Sequence, residues 1–429
     1  MAVAERLYYG DSFLRNFSAT VGDIREVSRG EGESVWQVAL DRTAFYPTSG
    51  GQPYDVGVLR AMSRGGAGLD VLVEGVEEDE QGEVWHFVRK PLSAGTQVDA
   101  EIDWERRLDH MQQHTGQHVL SAVFLRELQA QTVSFHLGEM TSTIDITAGS
   151  LAAHSLERVE RLVNLIIADD RPVTVRYVER AEAEQMLAAG TLRKLPDREG
   201  RMRIIEIPEI DTNACGGTHV RSTGQIGGLF LRGTEKVTRG MRVEFVCGLR
   251  AVRAVRADGA ILAQATAALS AGAAEIPAAL ERLKAEAKGG AKERQRLREE
   301  LAAYHAARLA VEDAIKGGLR LVERSFKDRD REYVKLLASR VGSAAPSTAV
   351  VFCAEDGDPG RIFLARSMDM DFDCGRILKE TLARRGLRGG GSADLAQGDV
   401  PLKDCGAVRA EVVASVRDAV PAQARGNSH

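Results

Sequence analysis

Four residues have the types and spacing of a metal site: His114 and His118, and, much later in the chain, Cys215 and His219. Histidines at i and i+4 stack on one helix face, so both imidazoles reach one ion. Cys215 and His219 repeat that spacing within Asp211 to Val220, a polar stretch in which Gly216 and Gly217 permit tight curvature. Imidazoles with a thiolate suit a borderline-soft ion such as zinc better than magnesium or calcium. Four simultaneous ligands make a closed tetrahedron, the form of a structural ion, whereas a hydrolytic site keeps a position for water. The sequence leaves both open, with His219 the residue that decides. The zincin helix HExxH carries a glutamate general base where this chain has Thr115, so peptide hydrolysis by that route is disfavoured. An activated ester is an easier target, because metal polarisation and acidified water can suffice. Thr115 and Gln117 lie within the same motif as candidate catalytic residues, set against helix positions that point elsewhere. His110 shares the face but lies two turns from His118, and reads as a supporting or helix-surface group.

These residues need elements to hold them. From Trp104 to about Gln129, Leu108, Met111, Val119, Leu120, Val123, Phe124 and Leu128 recur near a 3.6 period without proline, which predicts a helix. Strands are expected from Ser134 to Ile146, Val173 to Tyr177, Ile226 to Arg232 and Met241 to Val246, and a helix from Leu156 to Ala168. Residues 1–98 read as a small β-barrel, with Gly50 and Gly51 beside Pro47 and Pro53 marking a loop. Residues 251–340, with 18 basic and 13 acidic residues, are rich in helix formers and read as a helical arm or coiled coil. The block 341–429 opens on the apolar run Thr348 to Phe352 and reads as an α/β module. The expected fold is therefore α+β multidomain: small β-barrel (1–98), two-layer α/β metal-bearing domain (99–250), long helical arm (251–340) and α/β carboxy-terminal module (341–429).

Composition narrows the class. A chain of 429 residues, 44% hydrophobic and 28% charged, is globular and large enough for several cores. No apolar run approaches the roughly 20 residues of a membrane span and the amino terminus has no signal core, so the cytoplasm is the expected compartment. Five scattered cysteines without CxxC pairs read as thiols, and Cys247 as core. A formal net charge of -5 leaves nucleic-acid contact to local patches.

Taken in order, SGGQP at 49–53, HTGQH at 114–118, CGGTH at 215–219 and GGGSADLAQG at 389–398 resemble the editing and carboxy-terminal portions of alanyl-tRNA synthetase. The chain has no room for the preceding aminoacylation domains, and so resembles the freestanding, long-form alanyl-tRNA editing proteins over nearly its whole length. The threonyl-tRNA synthetase editing domain shares only the HxxxH and CxxxH logic. The resemblance implies removal of serine or glycine wrongly attached to the alanine tRNA, with one zinc held by His114, His118, Cys215 and His219. Such a second sieve exists because a pocket for alanine cannot strongly exclude glycine or serine by binding alone.

Where the family carries a VSQ-type segment this chain reads Val133-Ser134-Phe135-His136, so His136 is expected to replace the lost polar contact. Thr132, Ser134 and the loop residues Gly50, Gly51 and Gln52 are expected to bind substrate. The tail is expected to bind tRNA through Arg384, Arg385 and Arg388, at the end of a helix over 376–388, and through Gly389, Gly390 and Gly391. A homodimer through the helical arm or the carboxy-terminal module is a further expectation. Two other classes remain: a small-molecule metallohydrolase, and a noncatalytic tRNA-binding protein with a structural zinc.

Overall fold

A computed structural model of the chain describes residues 3–28, 34–62, 68–193, 195, 200–316 and 318–420. The chain forms two compact units, Met1–Ala265 and Thr266–His429. Among the described residues no single helix is long and apolar enough to cross a membrane.

The first unit opens with strands β1 (Asn16–Ser28), β2 (Ser34–Leu40), β3 (Gly57–Met62), β4 (Gly68–Glu78), β5 (Val84–Val88) and β6 (Gln97–Ile102). They close into a barrel in the order β1-β2-β5-β4-β3-β6. Alternation builds it: Val98, Ala100 and Ile102 of β6 point into a core with Leu59, Val71 and Val73, while their neighbours meet solvent. The last strand runs beyond residue 98 because Ile102 still pairs with Gly57.

Asp103 then caps helix α1 (Trp104–Leu128), its carboxylate accepting from Arg106 N at 3.1 Å. Strands β7 (Thr132–Leu137) and β8 (Ser142–Ile146), helix α2 (Ala153–Ala168), and a three-stranded sheet of β9 (Thr174–Val178), β10 (Met202–Ile207) and β11 (Asp211–Ala214) follow, with α3 (Arg180–Ala188) between β9 and β10. Strands β12 (Leu229–Val237) and β13 (Gly240–Cys247) complete an antiparallel sheet ordered β12-β13-β8-β7. Met111, Val119, Leu120, Val123 and Phe124 of α1 share a core with Val159 and Val163 of α2 and with Ile144, Val243 and Phe245 of that sheet. Cys247 lies in the same core.

Two long helices, α4 (Gly248–Leu269) and α5 (Ile276–Glu312), follow. The helical stretch read over 251–340 ends there. Residues Arg320–Phe326 are strand β14, parallel to β15 (Thr348–Ala354), and Arg331–Ala344 is α6, a helix of the carboxy-terminal unit itself. Leu321 and Val322 pack against the two faces of the sheet, so this segment alternates as a strand inside a stretch whose average composition is helical. With β16 (Gly360–Arg366), α7 (Cys374–Ala383), β17 (Gly389–Gly391), β18 (Leu395–Val400) and α8 (Cys405–Ala419) the second unit has a five-stranded sheet, order β14-β15-β16-β18-β17. Val350, Phe352 and Ala354 of β15 face α5 and α6, while Ala349, Val351 and Cys353 face α7 and α8.

The barrel is fastened to α1 by a fully buried ion pair. Arg107 Nε lies 3.0 Å from Asp55 Oδ2, a second guanidinium nitrogen bonds the same carboxylate, and the remaining donors reach the carbonyls of Ser12 (2.9 Å) and Ala44. Asp55 also accepts from Tyr46 N at 2.7 Å. Removing one partner strands a buried charge, which costs about 3–5 kcal/mol. Asp55→Ala is therefore expected to lower the unfolding free energy by about that much, read as a shift of the denaturant midpoint.

Candidate metal centre

Helix α1 is an unusual core element, because many of its buried side chains are polar. Most find a partner, His110 Nδ1 being the exception: Gln113 bonds the backbone of Cys247 in both directions, at 2.9 and 2.8 Å, and Gln112 donates to Gln225 O at 3.0 Å. Burying polar groups is tolerable only when they are bonded, and these bonds fix the helix rotation against the sheet. That rotation presents His114, Gln117, His118 and Ser121 on one face.

The CGGTH segment arrives from β11 and is tied down by Arg203 of β10. The Arg203 guanidinium donates to the carbonyls of Cys215 (2.8 Å) and Gly217 (2.9 Å). Gly217 lies so close to the ligand helix that a Cβ there would fall 2.1 Å from His114 Cε1, which explains the second glycine.

The structure brings together His114, His118, Cys215 and His219, with one ligand atom of each within 4.8 Å of every other. All three imidazoles are nearly closed to solvent. Cys215 Sγ lies 3.4 Å from His114 Nε2 and 3.3 Å from His219 Nε2. Zinc–nitrogen and zinc–sulfur bonds of about 2.0 and 2.3 Å at a tetrahedral angle place such atoms roughly 3.5 Å apart, so the donors fit that ion.

The far side of each ring explains the orientation. His114 Nδ1 is 2.9 Å from Gln52 Oε1, His118 Nδ1 is 2.7 Å from Asp211 Oδ2, and His219 Nδ1 is 3.1 Å from Thr115 Oγ1. Oxygen acceptors at Nδ1 select the tautomer whose Nε2 lone pair faces the centre. Burial opposes a charge on Cys215, but His114 and His118 beside it more than offset this and hold the thiol well below its usual range. Burial lowers His219 to about 3, so that ring stays neutral at physiological pH. Burial also opposes a charge on His118, but Asp211 and Cys215 raise it to about 9 in the metal-free protein.

The other expected site residues separate into groups. Gln52 is fully buried behind His114, also donating to Thr218 Oγ1 at 2.9 Å, so it orients a ring where substrate contact was expected. Gly50 and Gly51 form a two-residue turn with φ of +58° and +86°, closed by Ser49 and Gln52 bonding each other's backbone; its tip, Gly50, is exposed. Thr115 is likewise buried against His219 and accepts from Val220 N at 3.2 Å. Gln117 and Thr132 do converge, Gln117 Nε2 lying 2.8 Å and Thr132 Oγ1 2.7 Å from Ser121 Oγ.

Ser134 and His136 do not join them. A β-bulge at Val133 puts Thr132 and Phe135 on the side facing α1, with the Phe135 ring centroid 5.3 Å from that of His114. Alternation carries Ser134 and His136 to the exposed side, where Ser134 bonds Asp145 at 2.9 Å. His110 is buried and outside the donor cluster.

In the second unit the helix expected over 376–388 ends at Ala383, and Arg385 pairs with Glu411 at 2.5 Å. Arg384 and Arg388 are exposed. Gly389–Gly391 is an edge strand paired with Gly398, Gln397 and Ala396, so part of the backbone expected to contact tRNA is committed to the sheet.

Three residues that the sequence did not single out matter as much as the motifs: Asp211, Arg203 and Ser121. Only Asp211, an acid four residues before Cys215, left any mark that could have been read. Losing a partner of this kind typically weakens metal affinity 10- to 100-fold. Asp211→Asn is expected to do so here, measured by competition with a zinc chelator, while Ser134→Ala leaves affinity unchanged.

The chain is similar to proteins of known family. Residues 202–243 match the threonyl and alanyl tRNA synthetase second additional domain, and residues 4–106 match the class II (A) tRNA synthetases. The chain is 30% identical to the alanyl-tRNA editing protein AlaX-L of Pyrococcus horikoshii over 415 residues, covering 94% of this chain and 96% of that one. It is 32% identical to the alanyl-tRNA editing protein Aarsd1 of Rattus norvegicus, covering 78% and 80%. The alanine--tRNA ligase of Pyrococcus abyssi is 33% identical over 92% of this chain, which spans only 42% of that ligase's length. The chain belongs to the alanyl-tRNA editing protein family.

Proposed function

We propose that the protein is a trans-editing hydrolase that deacylates Ser-tRNA(Ala), Gly-tRNA(Ala) or both, with one zinc ion held by His114, His118, Cys215 and His219. The observation that carries this reading is the donor cluster itself, with every imidazole aimed by an oxygen acceptor and a thiol poised as thiolate. When bound, zinc supplies Lewis-acid polarisation of an ester carbonyl and acidification of water. The chain's own residues then position and select. Gln52, Asp211 and Thr115 hold the three rings, so Thr115 acts through His219 rather than on substrate. Gln117, Ser121 and Thr132 form the polar wall beside the ligands, suited to bonding an amino acid's ammonium or hydroxyl group, and Phe135 narrows the space over His114. His136 and Ser134, on the opposite side of the sheet, have no part in the chemistry.

For the macromolecular partner we propose the alanine tRNA, contacted in the second unit by Arg384, Arg388 and the free side of the Gly389–Gly391 strand; Arg385 contributes less, its charge being shared with Glu411. The test is deacylation of purified Ser-, Gly- and Ala-tRNA(Ala). Wild type is expected to release serine or glycine and spare alanine, and Cys215→Ala to lose that activity by at least two orders of magnitude. Inert Ser- and Gly-tRNA with wild type would sink the reading in favour of a structural zinc. Cleavage of small esters alone would favour a general metallohydrolase.

A homodimer through α5 is a further part of the proposal. Residues 276, 280, 283, 287, 290, 294, 297, 301, 304, 308 and 311 follow a heptad a/d spacing, and Leu280, Leu283, Leu297, Leu301, Tyr304 and Val311 on that stripe are exposed. Glu286, Glu293 and Glu300 flank it on one side and Lys284 and Arg298 on the other, which suits a parallel pair. Light scattering is expected to give twice the chain mass, and Leu297→Glu with Leu301→Glu the single mass.

A further inference from the structure

A second group of residues with the chemistry to hold a metal ion lies in the carboxy-terminal unit. Cys353 is on β15, on the side facing α7 and α8; Cys405 is the first residue of α8; Glu355 follows Cys353 where the chain leaves the sheet. One ligand atom from each lies within 4.8 Å of the others. Far apart in sequence and without a CxxC signature, the two cysteines could not be paired by reading the chain.

The surroundings favour a cation. Glu355, Asp358 and Asp404 are all close enough to act electrostatically on the Cys405 thiol, and Arg409 is the basic group that acts on Cys353. Burial pushes both thiols up, so they are protonated until an ion arrives. Both cysteines are buried among aliphatic side chains whereas Glu355 is partly exposed, so the carboxylate marks the way in. Thiols in such a place behave as small apolar groups until an ion displaces their protons.

We propose that Cys353, Cys405 and Glu355 form a second cation site, selective for thiophilic divalent ions of the zinc and cadmium class. Two thiolates and one carboxylate supply three ligands, a solvent-side position completes four-coordination, and binding releases two thiol protons per ion. The Arg409 guanidinium offsets part of the negative charge left over. An ion here would pin α8 to β15, so occupancy stabilises the unit.

The test uses the full chain, metal-free and kept reduced with a phosphine, titrated with cadmium while thiolate-to-cadmium charge-transfer absorption is followed. Wild type is expected to take up two equivalents, Cys215→Ala one, Cys405→Ser one, and the double variant none. Glu355→Gln, at a partly exposed position that preserves shape, is expected to move the midpoint of the second equivalent to higher cadmium with an unchanged circular dichroism spectrum. In weakly buffered solution, two protons are released on filling that site in Cys215→Ala. A wild type that saturates at one equivalent overturns the proposal, as does Cys405→Ser that still binds two. A Cys215→Ala protein that takes up no cadmium would assign all binding to the first centre.

Discussion

The buried pair between Asp55 and Arg107 is the interaction on which the site depends. Asp55 ends the loop that begins after Thr43 and carries SGGQP, and Arg107 sits in the first turns of α1. Their bond sets the distance between a barrel loop and a helix that belong to different sheets. Only at that distance can Gln52 reach His114, and only with Gln52 in place is the His114 tautomer fixed. A salt bridge with no exposure is poor evidence for extra stability, since desolvation offsets the attraction. Its value here is register: a guanidinium that bonds a carboxylate and two carbonyls accepts one geometry and no other.

The same logic runs through the rest of α1. An apolar helix of this length could rotate by some degrees against its sheet with little penalty, because dispersion contacts are not directional. Gln112, Gln113 and Arg107 remove that freedom with hydrogen bonds to fixed backbone groups and to Asp55. Placing four donors to within a few tenths of an ångström requires such a scaffold, since two arrive on a helix and two on a loop from another sheet. Arg203 does for the loop what the glutamines do for the helix.

Much of this was legible in the sequence. The i, i+4 pair in α1 and the CGGTH spacing named the donors, the periodicity of Leu108 to Leu128 drew their helix, and alternation in residues 1–98 foresaw a barrel. What escaped was set by contacts between distant segments. Gln52 reads as a loop residue open to substrate until the barrel is docked, and Thr115 as a helix residue with no stated direction. Ser134 and His136 were placed in the pocket because sequence gives no sign of a bulge, and one extra residue decides which side of a strand each side chain meets. In the tail, three glycines read as backbone free for tRNA, whereas pairing with Leu395–Val400 makes them an edge strand. Composition likewise merged Arg320–Phe326 into the helical stretch because a window averages over a short alternating run.

The bulge at Val133 has a consequence for how the pocket wall of this protein can vary. Thr132 and Phe135 face α1 only because the strand carries one residue more than its partner there. Without Val133 the ladder would become regular, with Thr132 still opposite Ile146 and on the same side as Phe135, so the wall tolerates loss of the extra residue as well as its presence. The wall of the pocket is thus decoupled from the metal centre in its genetic encoding. Selectivity can drift by substitution at positions 132 and 135, on a strand that carries none of the four donors, without disturbing the residues that would perform the hydrolysis.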